Sequence, residues 1–231
     1  MFLSRAFLNP ASAAVRADLA DATALHRTVM RAFPDEAGPQ PRRRLGVLHR
    51  VDAEPRRGRY ILLVQSAVRP DFERLPSRYF LDLADVFDSE AASIGDNPSI
   101  REVNAERAHI GAGARFAFRL HANTTKKVPK VVHGVRTKNG TRVPLRGDDA
   151  RLEWLGRQAE RAGFRCHEVR VQELPSRFGR PPRRITLEGA VFEGALVVTD
   201  PDTFRTTLAE GIGPAKAFGF GLLSVTRLRS T

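Results

Sequence analysis

Gly211-Ile212-Gly213-Pro214-Ala215-Lys216-Ala217-Phe218-Gly219-Phe220-Gly221-Leu222-Leu223-Ser224 is the stretch on which the fold turns. It holds four glycines and one lysine in fourteen residues. Glycine lets backbone N–H groups approach a phosphate without a Cβ in the way, and the lysine adds one mobile charge. The composition suits a polyanion cradle, although a bare helix-to-strand turn would use glycines as well. No Gly-Lys-Ser/Thr follows a four-residue gap, so the stretch is not a P-loop. Lys216 stands where a dinucleotide fingerprint needs its third glycine. The order of elements is also inverted for a nucleotide loop. Asp200-Pro201 reads as an N-cap and first helical residue, the helix runs to about Glu210, and Leu222 to Leu228 reads as a strand.

Working back from the loop, Phe164 to Leu174 and Ile185 to Val198 read as strands around the basic segment Pro175 to Arg184. Gly147-Asp148-Asp149 opens a helix with Leu152, Leu155, Ala159 and Ala162 on one face, and Gly163 closes it. Phe116, Phe118 and Leu120 alternate in a strand over Arg115 to Ala122, and Asn123 to Arg142 reads as a long loop. In the first half, Phe2 to Leu8 is a short strand. Ala11 to Phe33 is helical with a break around Leu19 to Ala22. Leu45 to Val51 and Tyr60 to Ala67 form a hairpin over Glu54 to Arg59. Asp71 to Leu75 is a short helix and Tyr79 to Phe87 a further strand. Strand, helix, strand, strand, helix, strand is the ferredoxin-like order, shared by many RNA-recognition folds. The second half repeats that order in pattern, though not in residues. The polar segment Ser89 to Ala108 is the expected linker, giving domains at 1–88 and 109–231.

The glycine stretch, the opening Met1-Phe2-Leu3-Ser4-Arg5 with Asn9-Pro10-Ala11-Ser12, and the helical Leu25-His26-Arg27-Thr28 together resemble the CRISPR-associated endoribonucleases that process precursor guide RNA. The resemblance is to the CasE branch, which belongs to the Cascade complex, and it spans nearly the whole chain. It implies an α+β fold of two tandem ferredoxin-like (RRM-like) βαββαβ domains. It also implies cleavage of CRISPR precursor RNA at the base of the repeat hairpin, retention of the product crRNA, and other Cascade subunits as partners.

The charge agrees with a nucleic-acid partner. Lys and Arg number 38 against 26 acidic residues, a net +12, and only five of the 38 are lysines. Arginine brings a planar fork for phosphate and a flat face for bases. A codon preference for arginine explains the ratio but not the net charge. Ten basic residues and no acid lie between Arg107 and Gly147, among them Lys126, Lys127, Lys130 and Lys138. Such a block is either a solvated loop or a surface for RNA phosphates. Arg177, Arg180, Arg183 and Arg184 form a second cluster. In the resembled family, basic residues of this kind grip the base-paired stem, and the cradle would contribute Gly213, Lys216 and Gly219. The single cysteine, Cys166, permits no internal disulfide and reads as a packing residue. With no run long and apolar enough for a span, a soluble cytoplasmic protein is expected.

No Cys/His cluster has metal-ligand spacing and no Gly-x-Ser-x-Gly elbow is present, so metal and serine chemistry are not suggested and no cofactor is expected. RNA carries its own nucleophile in the 2′-OH. A protein needs only to align it, move protons and neutralise growing charge. Six histidines compete for the proton transfer: His26, His49, His109, His121, His133 and His167. Leu25, Val29 and Phe33 form a buried stripe on their helix, and His26 lies about 100° round from it, at the border of solvent or a groove. The resemblance singles out His26 as general acid or base in metal-independent cleavage that leaves a 2′,3′-cyclic phosphate and a 5′-OH. It matches Arg31 to a phosphate-orienting basic residue. Relatives carry a tyrosine three residues before the histidine, where this chain has Thr23, whose hydroxyl is shorter and far less acidic. A non-catalytic RNA-hairpin-binding subunit of the same fold is the alternative, and a basic ribosome-associated protein a remoter one.

Overall fold

The computed structural model describes residues 1–35, 39–82, 96–104, 110–129, 131–132, 135–136, 140–179 and 185–228. Strand β1 (Phe2–Phe7) leads through Asn9-Pro10 into helix α1 (Ala13–Ala20) and helix α2 (Ala22–Arg31). The helices are divided at the expected break by Asp21. It leaves helical geometry at φ −138° and accepts the Thr23 N–H on its carboxylate at 2.9 Å, capping α2. A four-residue helix, α3 (Pro41–Arg44), precedes the hairpin of β2 (Leu48–Glu54) and β3 (Arg59–Ser66). Gly58, at φ 61°, closes its turn. The sheet is completed by β4 (Ser99–Glu102) in the antiparallel order β2-β3-β1-β4.

The second unit begins with β5 (Arg115–Ala122); the ribbon of β6 (Thr125–Val128) and β9 (Thr141–Pro144), and between these the two-residue strands β7 (Val131–Val132) and β8 (Val135–Arg136), form two small sheets apart from its four-stranded one. Helix α4 (Asp148–Arg161), β10 (Phe164–Gly179), β11 (Ile185–Val198), helix α5 (Pro201–Glu210) and β12 (Leu223–Arg227) follow. Its order, β10-β11-β5-β12, repeats the first sheet's order of second, third, first and fourth strand. The architecture is therefore a tandem pair of ferredoxin-like units. In each sheet one face is covered by helices. Leu8, Val15, Leu25, Val29, Phe33 and Tyr79 belong to one core, and Phe116, Leu120, Trp154, Phe192 and Phe204 to the other.

Three expectations are corrected. The fourth strand of the first unit is not Tyr79 to Phe87: of its described residues, Phe80 makes only an isolated bridge to Leu8, and Tyr79 is buried with its hydroxyl donating to Asp18 at 2.7 Å. Residues 83–87 lie outside the described residues. The fourth strand instead comes from Ser99–Glu102, inside the segment read as linker, because pairing with β1 selects it and four residues carry no alternation of their own. The loop Asn123 to Arg142 holds the β6–β9 ribbon, where Thr125 and Val128 face Pro144 and Thr141 in register. On α4 the buried face runs through Arg151, Trp154, Leu155 and Ala159, so Trp154 takes the core place expected of Leu152. Cys166 is half-buried against the second core, as expected of a packing residue.

Two buried polar side chains of the first sheet reach the second unit. Gln65 Nε2 donates to the Leu208 carbonyl at 2.7 Å, satisfying the C-terminal turn of α5. Arg50, 3% exposed, is held by both oxygens of Asp52 at 3.0 and 3.1 Å. Its Nη1 donates to Ser224 Oγ at 2.8 Å and to the Leu222 carbonyl at 3.3 Å. His121 Nε2 lies 3.2 Å from Asp52 Oδ1. These bonds set the exit of the glycine stretch against β2.

Candidate functional site

The glycine stretch folds as a short neck and a turn. Gly211 N–H donates to Thr207 O at 2.8 Å, ending α5, and Ile212 N–H donates to Gly221 O at 2.9 Å across the neck. Gly221 N–H in turn donates to His121 O at 2.7 Å. The neck is too narrow for side chains. Gly211 sits at φ 77°, where a Cβ would lie 2.6 Å from Gly221 O, and Gly221 sits at φ 88° with Ile212 O at 2.8 Å. A Cβ at Gly213 would lie 3.1 Å from the Trp154 indole, and Gly219, at φ 80°, closes the single 3-10 turn Lys216–Phe218. That turn packs against both α2 and β2. The loop and the helix carrying His26, 185 positions earlier than Gly211 in the chain, are thus brought together.

His26 is half-buried on α2, and its ring stacks on that of His49 from β2, with centroids 5.8 Å apart and planes 16° apart. Its Nδ1 is enclosed and, among the described residues, has no hydrogen-bond partner. Burial, with the Arg42 charge adding to it, pushes the imidazole down to about 4, so it is neutral near pH 7. Arg42, on α3, is itself held by donating from Nη1 to the Val47 carbonyl at 3.0 Å. Lys216 is half-buried, and its ammonium is pushed down from its ordinary value by burial and by Arg42, with Glu210 opposing. The arrangement is a neutral imidazole under the charge of Arg42, which also acts on Lys216 in the turn packed against α2. It can exchange a proton and attract a phosphate. Among the described residues no group of three or more His, Cys, Asp or Glu side chains is placed to hold a metal ion.

The sequence model of the family described as CRISPR associated protein matches residues 1–227. The CRISPR-associated endoribonuclease Cse3 of Thermus thermophilus is 34% identical over 240 residues, covering 97% of this chain and 99% of the relative. The chain belongs to the CasE family of CRISPR-associated endoribonucleases. A second relative, the Cascade subunit CasE of Escherichia coli, is 32% identical over 123 residues, 52% of this chain and 61% of its own length. The solved structure of Thermus thermophilus Cse3 bound to an RNA representing a pre-cleavage complex superposes with a TM-score of 0.73. It is 30% identical, and the match covers 97% of this chain and 98% of that one.

On this CasE-family fold the expected site residues separate into groups. His26, Lys216, Gly213 and Gly219 lie around the packed loop and helix. Thr23 is half-buried in the first turn of α2, and Arg31 is exposed in its last turn. A step of five residues turns about 140° round the helix, so Arg31 and His26 point apart. The arginine whose charge acts on His26 is Arg42, on α3. His49 is legible in the sequence as one of six histidines but not as the neighbour of His26, because strand alternation gives a face and not a contact. Lys126 and Lys127 are exposed on the ribbon, with Lys127 in register opposite the exposed Arg142. The backbone of Arg177 pairs with Leu187 just past a bulge. Lys130, Lys138, Arg180, Arg183 and Arg184 lie outside the described residues.

Proposed function

We propose that this chain is an endoribonuclease that cuts CRISPR precursor RNA at the base of the repeat hairpin without a metal ion, and that it keeps the product crRNA within a Cascade assembly. The observation that carries the reading is the neutral, half-buried His26 set between the glycine loop and Arg42. The names of the relatives, an endoribonuclease and a Cascade subunit, support the substrate and the partners.

In the reaction the 2′-oxygen of the nucleotide before the cut attacks the adjacent phosphorus, and the bond from phosphorus to the 5′-oxygen breaks. The products are a 2′,3′-cyclic phosphate and, once the leaving 5′-oxygen has taken a proton from the imidazolium or from water, a 5′-OH. A neutral His26 suits the base that takes the 2′-hydroxyl proton. Arg42 and Lys216 are placed to offset the charge that grows on the phosphoryl oxygens. Thr23, one turn before His26 on the same helix, offers a hydroxyl that hydrogen-bonds the phosphate without ionising. Arg31 meets the strand from the exposed end of α2. Lys126 and Lys127 bind phosphates of the stem: like charges such as Lys127 and Arg142 in register disfavour the bare ribbon, and a polyanion relieves them. Lys130, Lys138, Arg177, Arg180, Arg183 and Arg184 extend that basic surface by their place in the chain.

The test is cleavage of a labelled repeat hairpin in EDTA by wild type and His26→Ala side by side, with a 2′-deoxy substrate as third arm. Wild type cuts, His26→Ala and the 2′-deoxy RNA give no product, and hairpin affinity of the variant stays within about twofold. Binding without cleavage by wild type would leave only a binding subunit.

A further inference from the structure

We propose that His49 is a positioning residue for the cleavage reaction, its buried ring serving as the flat wall that sets the plane of the His26 imidazole. The inference deepens the endoribonuclease reading and rests on it. A histidine that moves protons is ordinarily oriented through its second nitrogen, which donates to a carboxylate or a carbonyl. Among the described residues His26 has no such support: its Nδ1 is enclosed and unpartnered. Nor does α2 fix the ring, since rotation about the bond between Cβ and an aromatic ring is broad and two-fold. The ring contact that remains is the stack on His49, at 5.8 Å and 16°, within the range where flat rings attract.

The wall is itself rigid. His49 is fully buried, and its backbone pairs in register with Val64 of β3. The residues on either side face the opposite way and are anchored to the second unit. Leu48 packs against Gly211, and Arg50 is tied to Asp52, Leu222 and Ser224. Three consecutive residues of β2 therefore register the His26 ring against the neck of the glycine loop. The ring keeps its direction without a further hydrogen bond to it.

The experiment compares wild type, His26→Ala, His49→Ala, His49→Gln and His49→Phe in single-turnover cleavage of the repeat hairpin at saturating protein. Hairpin affinity is measured alongside, and circular dichroism at the assay temperature confirms that each variant is folded. The expected result is a cleavage rate about 10- to 100-fold lower for His49→Ala and His49→Gln, the scale of a misplaced catalytic group. Affinity stays within about twofold of wild type. His49→Phe, which keeps a flat ring without ring nitrogens, restores the rate to within about threefold. A wild-type rate in folded His49→Ala overturns the proposal, as does a slow His49→Phe, which would place the effect on the nitrogens. If His49→Ala does not fold, His49→Phe against His49→Gln decides alone. Cleavage by His26→Ala at the wild-type rate, or none by wild type, would instead sink the endoribonuclease reading, and this proposal with it.

Discussion

His26 shows how a single side chain is tuned by its surroundings. The larger cause of its depressed titration is burial, and the Arg42 charge is the smaller one. Both disfavour the imidazolium, so in Arg42→Gln the ring titrates above about 4 but still short of the ordinary 6.5, because burial remains. A carbon-detected NMR titration of the histidine ring reads this directly, and a value at or below that of wild type would contradict it. The sign for stability follows. The unfolded chain protonates first as pH falls, so the contribution of a neutral His26 is whole above pH 6.5 and is lost as pH falls through about 4. On the proposed reading, RNA phosphates bound at His26 would act in the opposite sense to Arg42 and raise the imidazole.

At the scale of elements, α2 and the glycine neck are built by different means. The helix is specified locally: Asp21 caps it, Leu25 and Val29 bury its inner face, and the packing of neighbouring large apolar chains stabilises it by about 1.5 to 3 kcal/mol each. The neck is specified by what cannot be there. At Gly211 a methyl group meets both the left-handed φ of 77° and the Gly221 carbonyl at 2.6 Å, with Leu48 Cδ1 at 2.9 Å beyond it. Gly211→Ala therefore destabilises the fold by roughly 3 kcal/mol or more, a strained backbone together with overpacking. Urea denaturation measures the loss, and a midpoint equal to wild type would show that the neck opens freely.

At the scale of the whole molecule, the two units are tied by buried polar groups rather than by charge alone. Arg50 is pushed down from its ordinary value chiefly by burial, with Asp52 opposing, and it stays a cation because its two carboxylate contacts and three acceptors across the junction replace water. The net +12 acts differently, as a field that favours a polyanion over a broad surface. Lys126 and Lys127 belong to that field, so Lys126→Ala with Lys127→Ala weakens hairpin affinity at low salt. It also reduces the slope of log affinity against log salt by about 1 for each RNA phosphate that a lysine no longer neutralises. A slope unchanged from wild type would remove the ribbon from the RNA surface.

Local and periodic features were readable from the chain itself. The order of strands and helices, the break at Asp21, the buried stripe of Leu25, Val29 and Phe33, the border position of His26 and the glycine stretch after α5 each depend on neighbours a few residues away. So does the excess of basic charge, which is a sum and needs no fold. What tertiary structure decided is everything that depends on contact across the chain. Ser99–Glu102 becomes a strand only because β1 offers it an edge, and the ribbon of β6 and β9 only because its two short arms meet. Arg42 joins His26 through the packing of α3. His49 meets His26 because β2 lies under α2, and the glycine turn reaches both because Arg50 and Gln65 fasten the second unit to the first. A strand or helix pattern specifies which face of an element is buried. Which other face it meets is settled by the packing of one sheet and its helices against the next, and that is where this site is assembled.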